Sequence, residues 1–299
     1  MTPELNLPDK AKLILLKLVG KTLSSLGFQG TAKFAQVMGG LLWHAMPKRR
    51  AIAVHNITTQ LNLNLVDSEK LARLNFTHTA RSFMEIGLIP QFGLHSPLLT
   101  IEDPENLTRL KKITRPVVIA SGHIGSWELM AALFGSLTSP ERPGVVVPRQ
   151  SPDRALQAFI ASCRSVQDTK IIGHHAVAAD VLKTLRRNGL AGFLVDQRSK
   201  AHEATWLPFL NQPAAVNIGP ALLAIRAQAL IWPFFLVRQG EGYLLVSQKP
   251  LDTVLLEGSR DDKVHQAATF YTQAAEQVIR RFPEQWYWIH DRWKNNHPS

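Results

Sequence analysis

The sequence predicts an α/β protein, with a mostly parallel central sheet, flanking helices and a helical N-terminal subdomain. Three observations carry this. Residues 9 to about 90 read as helix throughout, punctuated by Gly27, Gly30, Gly39, Gly40 and Pro47. Beyond them, short β-branched runs bounded by Pro and Gly alternate with segments of helical period, the pattern of strands joined by crossover helices. No repeat, low-complexity tract or flexible linker divides the chain, so residues 1–95 and 96–299 are read as a helical subdomain and a catalytic α/β domain integrated into one unit.

In chain order, Asp67 or Ser68 is expected to cap a helix from Glu69 to about Gly87. A Pro- and Gly-containing loop (Pro90, Gly93, Pro97) follows, and then "RPVVIASGH", a buried strand by length and composition. "PGVVVPR", "TKIIG", "GLAGFLVDQ", "LIWPFFLV" and "GYLLVS" repeat that kind of run, the last expected as an antiparallel edge. Helices are predicted between them at Ser126 to Gly135, Pro152 to Val166, Ala176 to Asn188 and Pro220 to Ala229. A final helix from about Asp261 to Phe282 precedes an aromatic tail.

At 299 residues and 45% apolar composition the chain can bury a sizeable core, which excludes a disordered protein. Its single cysteine, Cys163, excludes an internal disulfide and a Cys-rich metal centre, and helix packing is its simplest role. His174 and His175 are adjacent and lack a third ligand at supporting spacing, so they read as a turn and no metal is expected. A net charge of +11 draws the chain toward anionic partners. Nucleic acid is not among them, for there is no zinc-finger spacing, distinctive helix-turn-helix or aromatic strand signature. From Lys10 to Met46 lysines interrupt every window long enough to span a bilayer, so neither a transmembrane helix nor a cleavable leader is expected. Leu13, Leu16, Val19, Leu23 and Leu26 recur at helical spacing among those lysines. That pattern suits a helix lying in an anionic membrane interface, or equally one packed on the protein's own core.

The chemistry centres on "SGHIGSWELM". His123 falls just past the carboxyl end of "VVIA", where open α/β sheets bind ligands. Glu128 follows in the first turn of the next helix, where the N-terminal dipole favours its ionised form. A histidine steadied by a carboxylate has the parts of a general base; a loop histidine beside a helix-capping glutamate is the alternative reading of the same spacing. The chain has no Gly-x-Ser-x-Gly turn, so a base here would activate a substrate hydroxyl rather than a protein nucleophile.

"SGHIGSWEL" resembles the His-x4-Asp/Glu motif of the bacterial lipid A late acyltransferases (lauroyl and myristoyl transferases) and their lysophospholipid acyltransferase-like relatives. The tail "FPEQWYWIHDRWK" is similar to the ending of that family, and "VVVPRQ", "GFLVDQRSK" and the segment from Trp206 to Arg238 fit its order. The resemblance covers nearly the whole chain. It implies transfer of a fatty acyl group from a thioester, acyl-ACP or acyl-CoA, to a hydroxyl of a phosphorylated glycolipid such as a lipid A precursor, on the cytoplasmic face of the inner membrane. No cofactor is required. On this resemblance His123 is the base and Glu128 orients it, Arg149 binds a phosphate or the oxyanion, and Asp196, Gln197 and Arg198 line the same crevice. Arg164 is placed to reach a headgroup. Two departures stand out: "PFLNQP" carries Leu210 and Asn211 where the family has Phe and Gly beside the acyl channel, and Asp291 replaces a basic residue. A hydrolase using the same pair on water, or a noncatalytic protein binding anionic membranes, are the rival classes. The aromatic tail (Trp286, Tyr287, Trp288, Trp293) is open to two readings, a membrane belt or a segment packed across the helical subdomain. Lys48-Arg49-Arg50 reads as a solvated helix start that would also face lipid phosphates if the preceding helix docks on a membrane.

Overall fold

A computed structural model describes residues 5–147, 153–164, 170–171 and 177–294. Three α-helices open the chain: α1 (Leu7–Ala45), α2 (Pro47–Leu61) and α3 (Leu65–Met84). A 3-10 turn, Glu85–Gln91, leads into the α/β part. The cap of α3 is Asn64, whose side chain accepts the Asp67 N–H at 2.9 Å, so the residues expected to start this helix lie inside its first turn. α1 bends at Gly27, which has φ 65°. Its residues Leu13 and Leu16 pack on the core and Leu23 is buried, while Ile14, Leu15, Leu18 and Leu26 on the other side are half or more exposed. One apolar stripe of α1 therefore serves the core, and a second remains in solvent. Among the described residues no helix is long and apolar enough to cross a membrane.

The α/β part runs β1 (Leu99–Ile101), α4 (Pro104–Lys112), β2 (Val117–Ser121), α5 (Trp127–Gly135), β3 (Gly144–Val146), α6 (Arg154–Arg164), β4 (Lys170–Ile171), α7 (Val177–Leu185) and β5 (Leu190–Leu194). It continues through β6 (Ala204–Phe209), β7 (Gln212–Asn217), α8 (Gly219–Arg226), β8 (Leu230–Gln239), β9 (Gly242–Ser247), β10 (Leu251–Asp252) and α9 (Arg260–Arg281). The central sheet has the order β1-β9-β8-β2-β5-β3-β4, and β10 pairs beside β8. Its pairs from β8 through β4 are parallel, which the crossover helices require, while β9, through a tight turn at Gly240, and the short β10 both pair antiparallel to β8. β9 is not the edge, however, because β1 pairs parallel to it on the far side. β6 and β7 form a separate hairpin.

Alternation along the strands sorts side chains between two layers. Val117, Ile119, Leu190, Trp232 and Phe234 face a core shared with α5, the 3-10 turn and α6. Val118, Ala120, Ala191 and Ile231 face the other, shared with α7, α8 and α9. Because β8 is buried on both faces, it reads as one continuous apolar run. α9 starts with a capping box, Ser259 and Asp262 exchanging hydrogen bonds, and it delivers the tail to the carboxyl edge of the sheet.

Candidate active site

The carboxyl ends of β2 and β5 are adjacent, with Ser121 in register with Leu194, so the residues just beyond them meet. His123 and Asp196 do so directly. The backbone N–H of His123 donates to Asp196 Oδ2 at 2.9 Å, and its Nδ1 lies 2.9 Å from Oδ1. Trp286 of the tail donates its indole N–H to the same Oδ2 at 2.7 Å. Burial of Asp196 pushes its carboxyl up, but the His123 charge and the hydrogen bonds from His123 and Trp286 outweigh that and hold it down at about 2. An ionised carboxylate only accepts, so Nδ1 carries a proton, and in the neutral ring Nε2 is the nitrogen left with a lone pair.

The turn that presents His123 is fixed from three sides. Tyr287 donates its N–H to the His123 carbonyl at 3.0 Å, and Gly125 donates to the Gln285 carbonyl at 2.9 Å, so the tail pairs with this turn in a short antiparallel bridge centred on Ile124 and Trp286. From β8, the Leu236 carbonyl accepts the Ser126 N–H at 2.7 Å. From the helical region, Ser82 donates to the Gly125 carbonyl at 2.8 Å and Glu85 accepts from the Ser126 hydroxyl at 2.7 Å. Gly125 has φ 60°, and a Cβ there would lie 2.3 Å from the Leu236 carbonyl oxygen, so this position admits no side chain.

Glu85 is fully buried and accepts from Arg81, Arg238, Tyr243 and Ser126. Burial would raise its carboxyl, but the Arg238 charge and hydrogen bond, followed by Arg81 and Ser126, hold it below the usual carboxylate range. Around the imidazole stand the rings of Trp127 at 5.5 Å and Tyr287 at 6.0 Å, and Phe83 completes the collar at 5.9 Å from Trp127.

The predicted residues thus divide. His123 and Asp196 come together at bonding distance, and the carboxylate on the ring is Asp196's, the place that the resemblance gave to Glu128. Glu128 is buried in the first turn of α5. Gln197 and Arg198 are half-buried beside Asp196; Arg198 donates its N–H to His290 Nε2 at 3.4 Å and its guanidinium to the Lys294 carbonyl at 2.9 Å. Arg149 and the pair His174 and His175 lie outside the described residues, and Arg164 ends α6 with its side chain outside them too. Of the two readings of the tail, packing is what the structure has: Trp286 and Trp288 are buried, and Asn56 and Asn75 donate to its carbonyls. Leu210 sits with φ 57° in the β6–β7 turn, its N–H bonded to Glu276 of α9. Trp286, Glu85 and Arg238 were not tied to the site by sequence. Arg238, a charge at the end of an apolar strand, is the one signal that a buried anion had to exist.

An open sheet with its polar groups gathered at the carboxyl edge of the central strands places a ligand site at that edge, and similarity to known enzymes makes the class an O-acyltransferase. Over residues 1–295 the chain matches the model of the bacterial lipid A biosynthesis acyltransferase family, and it belongs to that family. It is 24% identical over 255 residues to a lipid A biosynthesis lauroyltransferase of Escherichia coli (strain K12), covering 83% of this chain and 80% of that protein. It is 23% identical over 264 residues to a lipid A biosynthesis palmitoleoyltransferase of the same organism, covering 86% and 82%. A lipid A biosynthesis acyltransferase of Shigella flexneri is equally similar, 23% over 264 residues.

Proposed function

We propose that the chain transfers a fatty acyl group from an acyl-ACP or acyl-CoA thioester to a hydroxyl of a phosphorylated glycolipid, a lipid A precursor or a close relative of one. The 2.9 Å contact of His123 Nδ1 with the buried Asp196 carboxylate supports this reading most strongly. Nε2 takes the acceptor's hydroxyl proton as its oxygen attacks the thioester carbonyl. The tetrahedral intermediate then collapses, the carbon–sulfur bond breaks, and the leaving thiolate recovers the proton from the imidazolium. Asp196 holds the tautomer and stabilises that imidazolium, and Glu128, buried in the first turn of α5, is assigned with it to orienting the ring. Arg149, Arg164, Gln197 and Arg198 are assigned to the donor and the acceptor's phosphates, for which arginine's paired donors are suited. The reaction runs on the cytoplasmic face of the inner membrane, with residues 1–95 as the membrane-associating part. The exposed apolar stripe of α1 and its exposed lysines 10, 12, 17, 21 and 33 support that placement.

The test is transfer by purified protein from a thioester donor to a lipid acceptor, with products resolved by mass spectrometry. His123→Ala is expected to cut transfer by about 10³-fold or more while keeping the fold. Wild-type transfer rates in that variant would overturn the proposal. Free fatty acid as the main product with acceptor present would make the chain a hydrolase.

A further inference from the structure

A carboxylate holds an imidazole in one orientation only if it cannot itself turn. The two oxygens of Asp196 are separately engaged: Oδ1 faces the ring Nδ1 at 2.9 Å, while Oδ2 takes the His123 backbone N–H at 2.9 Å and the Trp286 indole N–H at 2.7 Å. The backbone donor belongs to the same residue as the ring, so it moves whenever that turn moves. Trp286 is the donor that comes from elsewhere, 90 residues further along the chain. Its ring is buried and boxed by Trp288 at 4.5 Å, Phe209 at 5.5 Å and Trp293 at 5.9 Å. Its backbone is fixed too. The side chain of Gln285 beside it exchanges hydrogen bonds of 2.8 and 2.9 Å with the backbone of Arg238 in β8, and Asn75 of α3 donates to the carbonyls of Glu284 and Trp286. An indole held in this way cannot follow the carboxylate, so turning the carboxylate would strand a buried N–H without an acceptor. Two residues on, the contrast is clear: Trp288 gives its indole N–H to the Pro283 carbonyl at 2.6 Å, a bond wholly inside the tail.

We infer that Trp286 is a positioning residue for the reaction: its indole N–H reserves Oδ2 of Asp196, leaves Oδ1 as the oxygen for the His123 Nδ1–H, and so aims Nε2 at the acceptor hydroxyl. The inference rests on the acyl-transfer reading for what Nε2 does, but the bond it invokes is independent of the substrate. Trp286 acts through Asp196 and touches no reacting atom. Its N–H is what the site uses, beyond the bulk of the ring, and phenylalanine separates the two because it keeps an aromatic ring in the box and removes the donor.

The experiment compares Trp286→Phe, Trp288→Phe and the wild type as purified full chains in the transfer assay. Trp286→Phe should lower kcat by about 10- to 100-fold and leave KM for both substrates within about twofold, the pattern of a base that is present but misaimed. Trp288→Phe loses a tail bond of the same kind and should keep kcat, whatever it does to the melting temperature. In an Asp196→Asn background Trp286→Phe should cost no more than about twofold further, because the carboxylate through which the indole acts is already gone. A reading that leaves Trp286 in place covers the case in which its variant does not fold. In 15N-tryptophan-labelled protein the Trp286 indole proton should lie downfield and shift upfield in Asp196→Asn, where its acceptor is no longer charged. The inference is overturned if Trp286→Phe keeps the wild-type kcat, if Trp288→Phe loses as much, if the full loss persists in the Asp196→Asn background, or if the indole proton does not respond to Asp196→Asn. If that proton shifts and the His123 ring N–H signal moves in Trp286→Phe while the wild type transfers no acyl group, the positioning stands and the acyl-transfer reading is what fails.

Discussion

Asp196 keeps its charge in a buried site only because three donors converge on it, the His123 ring, the His123 backbone and the Trp286 indole. Its folded carboxyl titrates at about 2, below its ordinary value of 3.8. The stability this contributes is fully present above pH 3.8 and is lost as the pH falls through about 2. Replacing Asp196 by Asn is expected to leave the ring hydrogen-bonded but in the wrong tautomer, lowering kcat by about 10²- to 10⁴-fold in the transfer assay. His78 behaves in the opposite chemical sense with the same sign. Burial first, then the charges of Arg238 and Arg81, depress its ring from 6.5 to about 3, so it stays neutral in the fold. Below pH 6.5 the unfolded chain gains a proton that the folded one refuses, and stability falls as the pH drops from there toward 3. Comparing urea denaturation at pH 7 and pH 5 should show the His78→Gln variant losing less stability than the wild type by about 1–2 kcal/mol.

At the scale of elements, the turn from β2 into α5 is a strap tied down by β8, α3 and the tail. Gly125→Ala brings a left-handed backbone and a contact of 2.3 Å with Leu236, and should cost about 2 kcal/mol or more along with transfer activity. Gly40→Ala is the contrasting control: it is helical and nothing lies within 4 Å, so it should be neutral or stabilise by about 0.5–1 kcal/mol in thermal melts. What could be read from sequence followed from locality. β2, β5 and β8 announce themselves by apolar runs between Pro and Gly, and the position of His123 by where β2 ends. β1 and β10 are three and two residues long, too short for a pattern, and the β6–β7 hairpin "ATWLPFLNQPAAVN" carries two prolines that mask a strand. α4 escaped notice for the same reason, being nine residues of which four are charged. The site was half legible: the strand ends placed His123 and Asp196 on one edge, but which carboxylate meets the ring depends on the parallel register of β2 with β5, 73 residues apart. Trp286 and Glu85 reach the site only through tertiary packing, for which no local period gives a signal.

On the scale of the whole molecule, we propose that α1 decides where the enzyme works. Its core-facing stripe, Leu13, Leu16 and Leu23, is spent on packing, yet Ile14 and Leu15 are each 61% exposed, Leu18 59%, Val37 61% and Leu41 58%. Continuous apolar side chains in water along a helix are unfavourable unless something covers them, and the lysines along the helix suit an anionic lipid surface. Vesicles containing phosphatidylglycerol should therefore carry the protein upward in a flotation gradient, and purely zwitterionic vesicles should carry less. Raising the salt from about 0.1 to 0.5 M should weaken the first without abolishing it, because screening removes the lysine attraction and leaves apolar insertion. Leu18→Ser with Val37→Ser removes two large exposed side chains and disturbs no core contact. If each contributes about 1.5 kcal/mol on entering the acyl boundary, the pair should weaken binding roughly a hundredfold while the melting temperature hardly moves. Transfer to an acceptor presented in vesicles should fall with it, and transfer to a detergent-dispersed acceptor should not. A double variant that floats as the wild type does would remove α1 from the membrane contact and leave its solvent face without an assigned role.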